Sequence, residues 1–541
     1  MKAFQTALVH DLDADGFTDM YAQTITYGLL SARIADQHKK TADDFAAHMQ
    51  TNPFLRELME TFLKVGGRRG KAGGPGIDFD ELGVSEVIGL LDQANMEAVL
   101  NDFGDWNPQE DPVIHFYELF LKEYDAKKRM QRGVFYTPRP VVSYIVRSVD
   151  ELLRTEFGLA DGLADTVSWG QMAKRHNELK IPNGVSPDQD FVQILDPATG
   201  TGTILVEVID LVHKTLVAKW RAQGHGDRKI DAQWNEYVPK HLLPRLHGYE
   251  LLMAPYAIAH LKIGLKLYET GYRFGSDERA RVYLTNALES ARDFSGTLEF
   301  AVPALAHEAE AVNEIKRHER FTVVMDNPPY AGLSANLTEQ ARRLVSRFKF
   351  IDCVKIHERG ALQLEKNLQD DYIKFLAYAA DKLGFSATGI LGIICNHGFI
   401  DNPTLRGVRW SLLSNFRRIW ALDLHGNVNR GARAPDGGDD QNIFDIKDAG
   451  VAIFLGLRER RKVSTEKLIS KSNVWGDRDA VKYPFLLENT YTSHHWDTVA
   501  VDPDLFLFWK ISQHDAAEYT SWPKNHRSIS SSQYRDDYIS R

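Results

Sequence analysis

Four short stretches hold side chains that could do chemistry, and each closes an apolar run. The first is Asp326-Asn327-Pro328-Pro329-Tyr330, after "FTVVM". Asn327 carries an amide carbonyl, and Pro328 offers a backbone carbonyl while donating nothing. Two acceptors fixed by a rigid Pro328-Pro329 turn can hold both hydrogens of a planar NH2 group, which turns its nitrogen lone pair toward an electrophile. Tyr330 adds a flat face on which a base can stack. The second stretch is "DPATGTGT", Asp196 to Thr203. Gly200 and Gly202 allow a tight turn and a close backbone approach to a ligand. The helix that follows points its N-terminus into the same crevice. The third glycine of a dinucleotide fingerprint is missing. Asp196 would repel a pyrophosphate and suits a ligand with a cationic end, such as an amino-acid ammonium. The third is Glu250, ending "RLHGYE", where an acid can accept from both hydroxyls of a ribose. An insertion around "RAQGHGDRKIDAQWNEYVPKH" accounts for its long separation from Asp196. The fourth is Asn286 in "LTNAL", placed to meet an adenine edge.

These turns need a scaffold that gathers strand ends. From about residue 190 strands and helices alternate. "FVQILD", "RLHGYE", "ARVYLTNAL", "FTVVMD" and "TGILGIICN" read as strands, separated by helical stretches such as "ILVEVIDLVHKTLVAKW" and "QDDYIKFLAYAADKLG". This alternation predicts an α/β fold, a doubly wound parallel sheet with helices on both faces. Ligands of such sheets bind beyond the carboxyl ends of the strands, where the four turns fall. "FRRIWALDL" and "AGVAIFLGL" are expected to form an antiparallel edge. Residues 1–130 read as a helical domain with apolar positions at helical spacing, interrupted by the glycine-rich connection Val65–Gly76. Residues 131–465 carry the site-bearing domain. Residues 466–541 read as an incomplete C-terminal segment, the start of a further domain.

The 541 residues are 43% hydrophobic, enough for a large core in more than one domain. No apolar run is long enough to cross a membrane, and acids interrupt the N-terminal stretch where an export signal would be apolar. With two cysteines, Cys353 and Cys395, neither a disulfide scaffold nor a cysteine metal site is expected. No metal site is assigned, and a cytoplasmic protein is expected. The net charge of −9 does not advertise a nucleic-acid binder. Residues 401–467 nevertheless hold 12 Lys/Arg against 9 Asp/Glu, a local basic excess.

"DPATGTGT" and "NPPY", in this order, resemble motifs of S-adenosylmethionine-dependent N6-adenine DNA methyltransferases. "RGVFYTPRPVVSYIV", ahead of both, is similar to the motif that precedes them in the gamma class. The chain resembles most the methylase portion of type ISP restriction–modification enzymes and the related methylases of phage-defence systems such as DISARM, over about residues 1–460. The resemblance implies a Rossmann-like methyltransferase sheet behind an N-terminal helical domain. It implies that Tyr136 and Thr137 contact the cofactor. Asp196, Ala198, Gly200 and Gly202 would surround its methionine part, Glu250 its ribose and Asn286 its adenine. Asn327 and the Pro328 carbonyl would hold the target amine, and Tyr330 would stack on the base, with Phe444 as the second aromatic face. The implied partners are double-stranded DNA and a nuclease, helicase or specificity subunit. No helicase P-loop or nuclease motif is present, and residues 466–541 are short for a target-recognition domain, so recognition is expected from a longer frame or a partner. Two other readings stand beside this one: a non-catalytic subunit of a defence complex, and a methyltransferase acting on RNA or on protein glutamine, which also present a planar NH2 group.

Overall fold

The computed structural model describes residues 13–35, 84–94, 137–273, 279–291, 303–330, 338–356, 361–427, 433–444, 449–459, 468–501 and 505–509. Their α/β architecture divides into two compact units. Tyr136 and the Val65–Gly76 connection lie outside the described residues, as does most of the helical domain expected over 1–130.

One unit contains residues 184–319 together with the described N-terminal residues. Its strands are β1 (Ile194–Asp196), β2 (Leu246–Glu250) and β3 (Arg281–Leu284), paired in parallel in that order. All but the first residue of β3 are buried, as parallel strands covered on both faces must be. The helix Thr203–Ala222 follows β1, and Met253–Glu269 follows β2. The N-terminal helix Ala14–Ala35 packs on Met253–Glu269. Gly202 is the hinge between strand and helix. Its φ is 79°, and a Cβ there would lie 3.1 Å from the Ala259 Cβ, so only glycine lets the two helices approach this closely.

The other unit holds β4 (Val323–Asp326), β5 (Phe350–Ile351), β6 (Val354–Lys355), β7 (Gly389–Asn396), β8 (Arg418–His425), β9 (Val451–Arg458), β10 (Leu468–Asn473) and β11 (Asp497–Val499). β5 and β6 form a separate exposed hairpin. The remaining strands are ordered β4-β7-β9-β8-β10-β11. β9 and β11 run against the other four. The antiparallel pair expected at an edge is therefore interior: β9 lies between β7 and β8, and β10 and β11 extend the sheet beyond them. The helix Arg139–Phe157 lies against β7, where the missing side chain of Gly392 makes room for Ile145 and Val149. The chain after β10 packs on the same helix. Arg147 donates to the Leu486 carbonyl at 2.6 Å, the Thr155 and Tyr491 hydroxyls lie 2.6 Å apart, and Tyr144 meets His494 at 2.8 Å. Among the described residues no helix is long and apolar enough to cross a membrane.

Candidate functional site

In the first unit the turn after β1 is tied to the end of β2. The Thr199 N–H donates to the Tyr249 carbonyl at 2.9 Å, and the Gly200 N–H donates to Glu250 Oε2 at 2.8 Å. Glu250 Oε1 accepts from the Leu252 N–H at 2.7 Å. The carboxylate thus fixes two turns. Asp196 is 1% exposed. Its Oδ1 accepts from the Ala198 N–H at 3.3 Å, and its buried Oδ2 has no hydrogen-bond partner among the described residues. Burial pushes the Asp196 carboxyl well above its ordinary range; the Ala198 N–H opposes the shift and the Glu250 charge adds to it. A buried acid with an unsatisfied oxygen fits an incoming ammonium, which would restore its charged form. Asn286 stands just past β3, but its amide is turned into its own loop. Oδ1 accepts from the Leu288 N–H at 3.0 Å, and Nδ2 donates to Glu289 at 3.4 Å.

In the second unit, β4 ends at Asp326, and the Asn327–Tyr330 turn stands at its carboxyl end. Thr137, just ahead of the helix Arg139–Phe157, accepts from Asn327 Nδ2 at 2.6 Å. That bond turns the amide so that Oδ1 is the remaining acceptor, and this buried oxygen has no hydrogen-bond partner among the described residues. Pro328 is buried and Pro329 half-buried. The Tyr330 hydroxyl donates to the Ile394 carbonyl at 3.3 Å. Burial raises its pKa well above the usual value, with Cys395, Asp326 and Asp370 adding to the shift, so the ring stays neutral. Burial likewise raises the Cys395 thiol, which makes it a poor nucleophile. Asp370 is pushed up to about 7 by burial first and Asp371 second. The Tyr330 and Phe444 rings lie 5.4 Å apart at 54°, in tilted contact. A base sandwiched between two faces needs about 7 Å, twice the roughly 3.4 Å rise of stacked bases, so the rings must part to admit one.

A further buried group lies at the ends of β7, β8 and β10. His397 Nδ1 is 3.1 Å and His425 Nδ1 3.3 Å from Asp423 Oδ1, while Lys471 Nζ is 3.5 Å from Oδ2. Burial alone would raise the Asp423 carboxyl, but His425, His397 and Lys471 hold it well below the usual carboxylate range. His425 also stacks on Trp475. Lysine on one side of the carboxylate and imidazoles on the other make this an internally neutralised network.

Sequence reasoning missed two features. It did not pair Thr137 with Asn327, which are 190 residues apart, and it did not find the side chains that hold Phe444. The Phe444 N–H donates to Asn442 Oδ1 at 2.8 Å, and Asn442 Nδ2 donates to the Gly426 carbonyl at 2.9 Å and the Ala449 carbonyl at 2.7 Å. The available signal was an asparagine two residues ahead of the aromatic ring, a spacing that favours side-chain-to-backbone turns.

No protein-family model and no curated protein matches the chain. Solved structures do share its fold. The DrdV–DNA complex matches with a TM-score of 0.65 at 22% identity, over 96% of this chain and 43% of that one. The ATP-dependent type ISP restriction–modification enzyme LlaBIII, bound to DNA, matches at 0.65 and 20% identity, over 93% and 30%. A nuclease-deletion mutant of the type ISP enzyme LlaGI, in complex with a DNA substrate mimic, matches at 0.64 and 18%, over 95% and 36%. The chain thus spans less than half the length of each of these proteins.

Proposed function

We propose that the protein is a site-specific DNA adenine N6-methyltransferase of a restriction–modification or phage-defence system, using S-adenosylmethionine and acting in the cytoplasm. The observation that carries the reading is the open acceptor of Asn327: a buried Oδ1 without a partner among the described residues, beside the Pro328 backbone and ahead of an aromatic pair. Asp196 and Glu250 are suited to the cofactor's ammonium and ribose, with Gly200 and Gly202 clearing the approach. S-adenosylmethionine supplies an electrophilic methyl group on a sulfonium.

The target adenine must leave the duplex to be reached, and Tyr330 and Phe444 would take its two faces. Asn327 Oδ1 and the Pro328 carbonyl would accept the two N6 hydrogens. That orients the nitrogen lone pair for in-line attack, so catalysis comes from positioning and electrostatics. The N6–methyl bond forms as the sulfur–methyl bond breaks, and one amine proton then passes to solvent. Neither cysteine takes part. Double-stranded DNA is the substrate, and a nuclease, helicase or specificity partner is consistent with the larger proteins whose fold this chain shares.

The test is Asn327→Ala with labelled cofactor and mixed-sequence DNA. Methyl transfer is expected to fall at least 1,000-fold, a loss of about 4 kcal/mol of transition-state stabilisation, with cofactor affinity held within about threefold. Methylation at wild-type rate in this variant refutes the reading. Transfer to RNA or to a glutamine peptide in place of DNA would redirect it.

A further inference from the structure

We propose that Lys482 is a positioning residue for Phe444, holding the second stacking ring through Asp440 and the loop that leads from it. The inference rests on the reading of Phe444 given above. Lys482 and Asp440 both have fully buried side chains, with Nζ 2.7 Å from Oδ1. The ammonium also donates to the Leu424 carbonyl at 2.7 Å and to the Gln441 carbonyl, so its three hydrogens are all used. Asp440 in turn accepts from the Gly426 N–H at 2.7 Å and the Gly476 N–H at 3.0 Å. One ion pair therefore joins the end of β8, the 440–444 loop and the 476–482 turn.

The join continues to the ring. The Gln441 N–H donates to the Gly476 carbonyl at 3.1 Å. Asn442 holds the Phe444 N–H, and the Tyr483 hydroxyl donates to the Ile443 carbonyl at 3.2 Å. Every residue from 440 to 444 is thus bonded directly to the bracket or lies next to one that is. A lysine with all three hydrogens spent inside the fold is in no position to meet DNA phosphate. Its charge is consumed in fixing a loop whose last described residue is the stacking ring.

Lys482→Met alone would leave a buried carboxylate uncompensated and could unfold the protein. Lys482→Met paired with Asp440→Asn removes both charges, and Lys482→Arg keeps the charge while changing its reach. Each is made in full-length protein carrying 4-fluorophenylalanine at position 444, with folding checked by circular dichroism. Without these substitutions the fluorine should give one narrow resonance displaced from that of the free amino acid. In the folded variants it is expected to broaden or move toward the free value. S-adenosylmethionine affinity should be unchanged, and kcat on DNA should fall at least tenfold. An unchanged resonance in a folded variant overturns the inference. The resonance decides the bracing whether or not methyl transfer occurs, whereas absence of any transfer by the wild-type protein tells against the function proposed above.

Discussion

Asp196→Asn separates the cost of a buried acid from its use. At neutral pH the wild-type protein must either bury a carboxylate whose Oδ2 lacks a hydrogen-bond partner among the described residues or bind a proton to it. Its folded pKa is raised above the unfolded value. The folded state therefore binds more protons, and this residue's contribution to stability declines as pH rises from the ordinary carboxylate range through the raised value. Asparagine keeps the shape and the acceptor for the Ala198 N–H and removes the charge. The variant should unfold at the same temperature as wild type or higher at neutral pH, and its margin over wild type should grow with pH. Cofactor binding should move the other way. A hydrogen bond to a charged group contributes about 1.5–3 kcal/mol, so S-adenosylmethionine should bind about 10- to 150-fold more weakly to the variant. Calorimetric titration with S-adenosylmethionine, and with methylthioadenosine as a ligand lacking the ammonium, gives the contrast. Only the first should lose affinity. Equal loss for both ligands, or no loss for the first, refutes the assignment of the unpartnered oxygen to an ammonium.

Thr137→Val removes the acceptor that fixes the Asn327 amide and should lower kcat about tenfold, equivalent to one hydrogen bond of about 1.4 kcal/mol. The KM for the cofactor should scarcely change; a raised cofactor KM at unchanged kcat would place Thr137 on the cofactor instead. Asp423→Asn should cost about 3–5 kcal/mol at neutral pH, because it breaks a buried ion network, as read by urea unfolding. The Asp423 carboxyl is depressed in the fold, so its contribution is present above the ordinary carboxylate pKa and is lost as pH falls through the depressed value. The variant's stability should therefore fall less steeply in acid than wild type's, and parallel acid limbs would contradict the network.

The sequence made the buried strands legible because a strand covered on both faces is a nearly unbroken apolar run. "FTVVMD" and "GILGIICN" could hardly be anything else. β10 escaped for the converse reason: "LISKSN" is largely polar and only partly buried, and what recruits it is pairing with β8, which no local pattern announces. β9 and β8 were read as an antiparallel pair, but the insertion of β9 between β7 and β8 is set by long-range pairing that no local pattern announces. The turns after β1, β2 and β4 were legible because glycine, acid and proline end strands for known reasons. Thr137 beside Asn327 and Lys482 beside the Phe444 loop were not, since each joins chain segments far apart in sequence with no periodicity between them.

On the proposed function, the tilted contact of Tyr330 with Phe444 would work as a latch. Closed, each ring shields the other from solvent and from passing solutes. An aromatic pair of this kind is worth about 0.5–1.5 kcal/mol beyond its buried area, while a base stacked on an aromatic ring contributes about 1–3 kcal/mol per contact. A flat solute that touches one ring gains little over the contact it breaks, and one that fills both faces gains on each side. The latch would therefore select for two-sided aromatic guests before any hydrogen bond to Asn327 is tested. Discrimination for the ring and discrimination for the amine would become successive checks, with different dependences on temperature and salt.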